Sequence, residues 1–165
     1  MLNYLRGNWT MTTSLNISDI FSHDHNFQTI MKNMLQTTFD LSFDGVMITK
    51  AGPGYPIIYA NPALCDMTGY TVDELIGKSP ALLQGDKSDQ NVLAELKEKI
   101  EKGDTFHGKT VNYRKDNTEF TMEWKIVPIR NAENEISHYL AIQRQIHDDE
   151  LCYKPHESQI PSGQD

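Results

Sequence analysis

Cysteine is scarce. The 165 residues hold two, Cys65 and Cys152, with no Cys-x-x-Cys pair. That excludes a disulfide scaffold and a cysteine-based zinc site. Long hydrophobic runs are absent, none approaching the ~18 residues of a membrane helix. Met1 to Thr13 lacks the basic-then-apolar layout of a secretory signal. Positive charge is short: 15 Lys+Arg face 23 Asp+Glu, a net charge of −8. A diffuse acidic balance argues against nonspecific binding to nucleic acid or anionic lipid. No nucleophile stands beside a base, no glycine loop is built to cradle phosphate, and no helix carries two metal-spaced histidines. The expectation is a reduced, cytoplasmic, non-enzymatic protein with no nucleic-acid or membrane partner, long enough for one compact domain with tails.

Four segments separate along the chain. Residues 1–23 are polar without a sustained period and read as a flexible N-terminal segment. Residues 24–42 read as a flanking amphipathic helix, because Phe27, Ile30, Met31, Met34 and Leu35 recur at helical spacing. Residues 43–148 carry a dense run of short elements. Residues 149–165, with Pro155 and Pro161, read as a disordered tail.

Within the third segment, strands are expected at 46–49 and 56–60. Asn61-Pro62 is an N-cap followed by proline at the first helical position, and Gly69 ends that helix. Thr71 to Glu74 has the pattern of a capping box, opening a short helix that stops at Gly77. A longer helix is expected over 88–102 with Val92, Leu93, Leu96 and Ile100 on its apolar face and Gly103 closing it. Three strands follow, over 107–115, 119–130 and 136–146. Asp116-Asn117 makes a tight hairpin between the first two. In the second, Phe120, Met122, Trp124 and Ile126 share a face. The third alternates Tyr139, Ala141 and Gln143 with Leu140 and Ile142, so both its faces are expected to be covered. The order β-β-α-α-α-β-β-β describes an α+β protein, an antiparallel sheet with short helices on one face and a small-molecule pocket between the layers.

This order, with Tyr59-Ala60-Asn61-Pro62-Ala63-Leu64-Cys65-Asp66-Met67-Thr68-Gly69-Tyr70 and then Glu74-Leu75-Ile76-Gly77, resembles a PAS domain. Gly77-Lys78-Ser79-Pro80-Ala81-Leu82-Leu83-Gln84-Gly85 is similar to the GxNCRFLQG segment of LOV domains, the flavin-binding blue-light branch of PAS. Asn112-Tyr113-Arg114-Lys115-Asp116 resembles their NYRKDG strand, and Ala141-Ile142-Gln143 their GVQ ending. The resemblance implies the PAS fold, with a five-stranded antiparallel sheet and the N-terminal flanking helix beside it. It also implies a flavin, FMN or FAD. The residue matching the LOV adduct cysteine is Pro80, which has no thiol. Ser79 and Ala81 stand for the neighbouring asparagine and arginine, Lys97 for a second phosphate arginine, and Met122 for one of two strand asparagines. Gln84, Asn112 and Gln143 are retained.

The residue chemistry can be read beside that resemblance. An isoalloxazine needs an apolar slot and amides along its polar edge, because each amide offers one acceptor and two donors. Asn112 and Gln143 are expected to face the Met122 and Trp124 side of the sheet. Met47, Thr49, Leu83, Trp124, Ile126 and Ala141 are expected to wall the slot. The function expected is that of a sensor in which light or redox state reduces the flavin without a cysteinyl adduct. The alternative is a ligand-free dimerisation or docking module. Either would pair as a homodimer through an outer sheet face of Val111, Tyr113, Val127, Leu140 and Ile142 together with the flanking helix, and would pass its signal to a downstream protein.

Overall fold

A computed structural model describes residues 26–146. The expected flexible segment 1–23 and the tail 149–165 lie outside the described residues. The chain divides into two compact units, parted between Thr38 and Phe39. Helix α1 (Phe27–Asp40) accounts for most of what is described of the first unit and crosses into the second. None of its residues is buried. It is shorter at both ends than the periodicity suggests.

The second unit holds β1 (Gly45–Lys50), β2 (Ile57–Ala60), α2 (Pro62–Thr68), α3 (Val72–Leu75), a 3-10 helix (Pro80–Leu83), α4 (Gln90–Lys102), β3 (Phe106–Tyr113), β4 (Glu119–Arg130) and β5 (Ile136–Ile146). The strands form one antiparallel sheet in the order β2-β1-β5-β4-β3. This is the α+β, five-stranded architecture expected for a PAS-like chain.

Local chemistry sets the helix boundaries. Asn61 caps α2 by accepting the Leu64 N–H, Pro62 supplies a pre-set φ, and Gly69 closes the helix at φ +75°. Thr71 and Glu74 form a reciprocal capping box on α3. Asp89 accepts the N–H groups of Asn91 and Val92, so α4 starts two residues later than its apolar pattern alone suggests. The 3-10 helix was not anticipated. Ser79 caps it and Pro80 opens it, but four residues are too few for a periodic signal.

Two expectations about the sheet need correction. β5 is not covered on both faces. Tyr139, Ala141 and Gln143 are buried, whereas Ile142 on the opposite face is 44% exposed. Tyr113 does not simply join the outer apolar face either. Its ring lies over Gly85, where an added Cβ would come within 2.3 Å of the ring, and its hydroxyl accepts the Lys87 N–H at 3.0 Å. Ser88 strengthens the same contact: its Oγ accepts the Gly85 N–H and donates to the Val111 carbonyl. The loop after the 3-10 helix is thus clasped onto the edge strand β3, which fixes the layer facing the sheet. That clasp also satisfies part of an otherwise open strand edge.

Candidate functional site

The inner face of the sheet forms the floor of a cavity of about 350 Å³, within the range usual for small-molecule sites. Strand register places the floor residues. Met47 lies across from Ala141, which lies across from Ile126. Thr49 pairs with Tyr139, and Gln143 pairs with Trp124. Asn112, on β3, stands one row beyond Thr110 and Met122. The opposite wall comes from the 3-10 helix and its flanks (Ser79, Pro80, Ala81, Leu83, Gln84) and from α4 (Leu93, Leu96, Lys97, Ile100).

All twelve residues singled out from the sequence border this cavity: Met47, Thr49, Ser79, Leu83, Gln84, Lys97, Asn112, Met122, Trp124, Ile126, Ala141 and Gln143. Tyr139 lines the cavity on the face it shares with Ala141 and Gln143, as the strand alternation indicates, whereas sequence reasoning missed Tyr55. It also assigned Leu93, Leu96 and Ile100 to packing without seeing that they face the cavity. The helical stripe on α4 carried a signal for these three. Tyr55 carried none, since it sits in a turn at φ +48°. Its ring meets Tyr139 edge-on at 5.8 Å, and the Tyr139 hydroxyl donates to the Ile100 carbonyl at 3.0 Å. Burial, followed by the neighbouring Tyr55, pushes the Tyr139 phenol above its ordinary pKa. It therefore remains a neutral donor tying β5 to α4.

The two carboxamides are both buried, Asn112 at 2% and Gln143 at 3% exposure. They do not lie on adjacent strands, because β4 runs between β3 and β5. Their partners on β4, Phe120 and Trp124, are four residues apart, so the two are offset by about 13 Å along the sheet as well as by two inter-strand spacings across it, with Met122 between. Asn112 donates from Nδ2 to the Thr110 carbonyl at 3.2 Å, leaving Oδ1 free. Gln143 makes no side-chain hydrogen bond to the described residues. No sealed side-chain nitrogen or oxygen among the described residues lacks a partner. The free groups of Asn112 and Gln143 therefore open onto the cavity. Protein does not fill it, and the amides are not spent on each other.

A planar heteroaromatic ligand fits this set. The walls are mostly apolar, the floor presents donors and acceptors two strands apart, and Trp124 offers an aromatic surface. Buried amides left unpaired cost about 1–3 kcal/mol each, and a ligand edge with matching groups recovers that cost. Pro80, which carries no thiol, lines the cavity. Cys65, on α2, is outside the lining, and burial followed by Asp66 raises its thiol pKa. Among the described residues, Lys97 is the one charged side chain in the lining. Its side chain is 77% exposed and lies 3.9 Å from Glu101.

A family model described as PAS domain matches residues 43–148. Among curated proteins, the nitrogen fixation regulatory protein of Klebsiella oxytoca is 34% identical over 90 residues, covering 54% of this chain and 18% of that protein. Protein TWIN LOV 1 of Arabidopsis thaliana is 38% identical over 100 residues, covering 59% of this chain and 25% of that protein. Phototropin-1A of Oryza sativa subsp. japonica is 30% identical over 94 residues, covering 57% of this chain and 10% of that protein. The chain thus spans a quarter or less of the length of these three relatives. Among solved structures, the aureochrome1 LOV domain in its light state aligns with TM-score 0.62 and 28% identity, covering 72% of this chain and 90% of that one. A light-oxygen-voltage domain studied with a flavin analogue aligns with TM-score 0.64 and 25% identity, covering 74% and 87%. The matched span, the sheet order and the cavity between sheet and short helices agree: this chain belongs to the PAS domain family, with LOV domains as its structural neighbours.

Proposed function

We propose that residues 43–148 form a flavin-binding sensory domain, loaded with FMN or FAD, that responds to light or to cellular redox state through flavin reduction and without a cysteinyl adduct. One observation carries this reading: the Gln143 carboxamide is buried, lacks a partner among the described residues, and opens onto a cavity of about 350 Å³. The similarity to LOV domains supports the choice of a flavin over other planar ligands. The absence of a thiol at Pro80, and the position of Cys65 away from the cavity, support a response that forms no sulfur bond.

A bound flavin supplies a ring that accepts electrons and a proton. Gln143 can turn either its oxygen or its NH₂ toward such a ring, and which face is favoured depends on whether the ring nitrogen carries a proton. β5 holds Gln143 between β1 and β4, so a turned amide acts on the strand that pairs with both. A switch of this kind needs two arrangements separated by only a few kcal/mol. The domain in this reading binds and signals rather than catalyses, and its output passes by contact to a downstream protein. Two copies pair through the outer face of the sheet, where Ile129 and Ile142 are 42% and 44% exposed.

The test is optical. Freshly purified protein, or protein reconstituted with FMN or FAD, is expected to be yellow and to absorb in the blue. A protein that stays colourless after both reconstitutions sinks the flavin reading and leaves the docking module.

A further inference from the structure

We infer that this domain selects its ligand by the isoalloxazine ring and is nearly indifferent to the phosphate-bearing tail, so that riboflavin, FMN and FAD bind with similar affinity. The inference rests on the flavin reading above and deepens it.

The cavity has a closed side and an open side. Its sheet floor is buried: Met47, Trp124, Ala141 and Gln143 are each at 7% exposure or less. The exposed lining residues are Ser79, Ala81, Gln84 and Lys97. They belong to the 3-10 helix with its flanks and to α4, and they mark the mouth. A tail attached to a ring on the floor therefore leaves between these two elements.

The mouth is poorly equipped for a phosphate. Among the described residues its one cation is Lys97, which is mostly in water and already faces the Glu101 carboxylate. An ion pair this exposed shifts an equilibrium by about fivefold at most. Among the described residues no arginine lines the cavity, so they offer no bidentate clamp on phosphate. The remaining polar groups there, the Ser79 hydroxyl and the Gln84 amide, are neutral and suit the hydroxyls of a polyol chain as well as a phosphate oxygen. The net charge of −8 adds a weak repulsion against any polyanion. The ring end, by contrast, holds an apolar slot and the free amide groups of Asn112 and Gln143, all removed from water. Every strong interaction the site offers is therefore one that riboflavin makes equally well.

The experiment is titration of the apo full chain with riboflavin, FMN and FAD, read by quenching of flavin fluorescence. The three dissociation constants are expected to agree within about tenfold. Raising NaCl from about 0.05 M to about 0.5 M, which shortens the screening length severalfold, is expected to change the FMN constant by less than about threefold. Lys97→Ala is expected to weaken FMN by no more than about fivefold. FMN binding more than about a hundredfold tighter than riboflavin, or a steep salt dependence, overturns the inference and leaves the flavin reading standing. Failure of all three flavins to bind overturns both.

Discussion

Asn61 works at the residue scale as a four-way tie. Its side chain has no exposed surface. Oδ1 accepts the N–H groups of Val46 and Leu64, and Nδ2 donates to the carbonyls of Phe39 and Asp44, all within 3.0 Å. One carboxamide therefore caps α2, holds the first part of β1 and fixes the segment leading into it. Asn61→Ala strands four buried or half-buried backbone groups. We expect a loss of about 2–4 kcal/mol, measured as a shift in urea midpoint. A loss under about 1 kcal/mol would mean that water replaces those bonds freely. Gln143 is the opposite case, a carboxamide with nothing to lose. Gln143→Leu is expected to hold or raise the thermal midpoint, because it removes no protein hydrogen bond and adds apolar surface to the cavity floor. The same change is expected to shift the absorption fine structure or photoreduction rate of the flavin-loaded protein. A marked loss of stability would show that the amide serves the fold and not a ligand.

Two clasps govern behaviour at the scale of elements. The first is the contact of Gly85 with Tyr113. Gly85→Ala drives a methyl into the ring, and the neighbouring backbone is held by Ser88, so the loop cannot simply move aside. The expected cost is about 1–3 kcal/mol by urea unfolding, with part of it recovered in the double variant with Tyr113→Ala. The second is Glu123 on β4, which joins His107 of β3 and Arg144 of β5 on the outer face. Hydrogen bonding to Arg144 chiefly, and then to His107, holds this carboxyl below the ordinary glutamate value of 4.5 against the effect of burial. A depressed folded-state pKa means that the unfolded chain binds the proton first. The stability contributed by Glu123 is therefore full above that pH and is lost as the pH falls through the folded value. Urea midpoints measured on both sides of pH 4.5 should show the decline, and Glu123→Gln should flatten it.

Much of this element scale is legible in the sequence because it depends on local chemistry. The caps at Asn61 and Thr71, the left-handed Gly69 and Gly103, and the alternation along 119–130 each act within a few residues. Order across the sheet is different in kind. Nothing in the Asn112 or Gln143 segments states that β4 runs between their strands, since that is settled by which edges remain unpaired once all five strands meet. Tyr55 and the 3-10 helix escaped for a related reason: short turns have no period, and their place over the cavity is fixed by contacts distant in sequence.

At the scale of the whole molecule, the sheet has one face given to the cavity and one that keeps apolar side chains in water. Ile142→Glu places a charge on that second face with no change to the floor. If two copies associate there, the substitution is expected to yield monomers by light scattering with the flavin spectrum retained. An unchanged mass would remove that face from the pairing. Among the described residues, no helix is long and apolar enough to cross a membrane.

The pairing of Gly45 with Gln143 brings the start of β1 against the last part of β5. Gly45 is packed so closely that an added Cβ would meet Leu64, Met67 and the Gln143 carbonyl between 3.1 and 3.3 Å. The leads into and out of the sheet are therefore strapped together at one rung, right beside the amide that faces the cavity. A turned amide would pull on both leads at once.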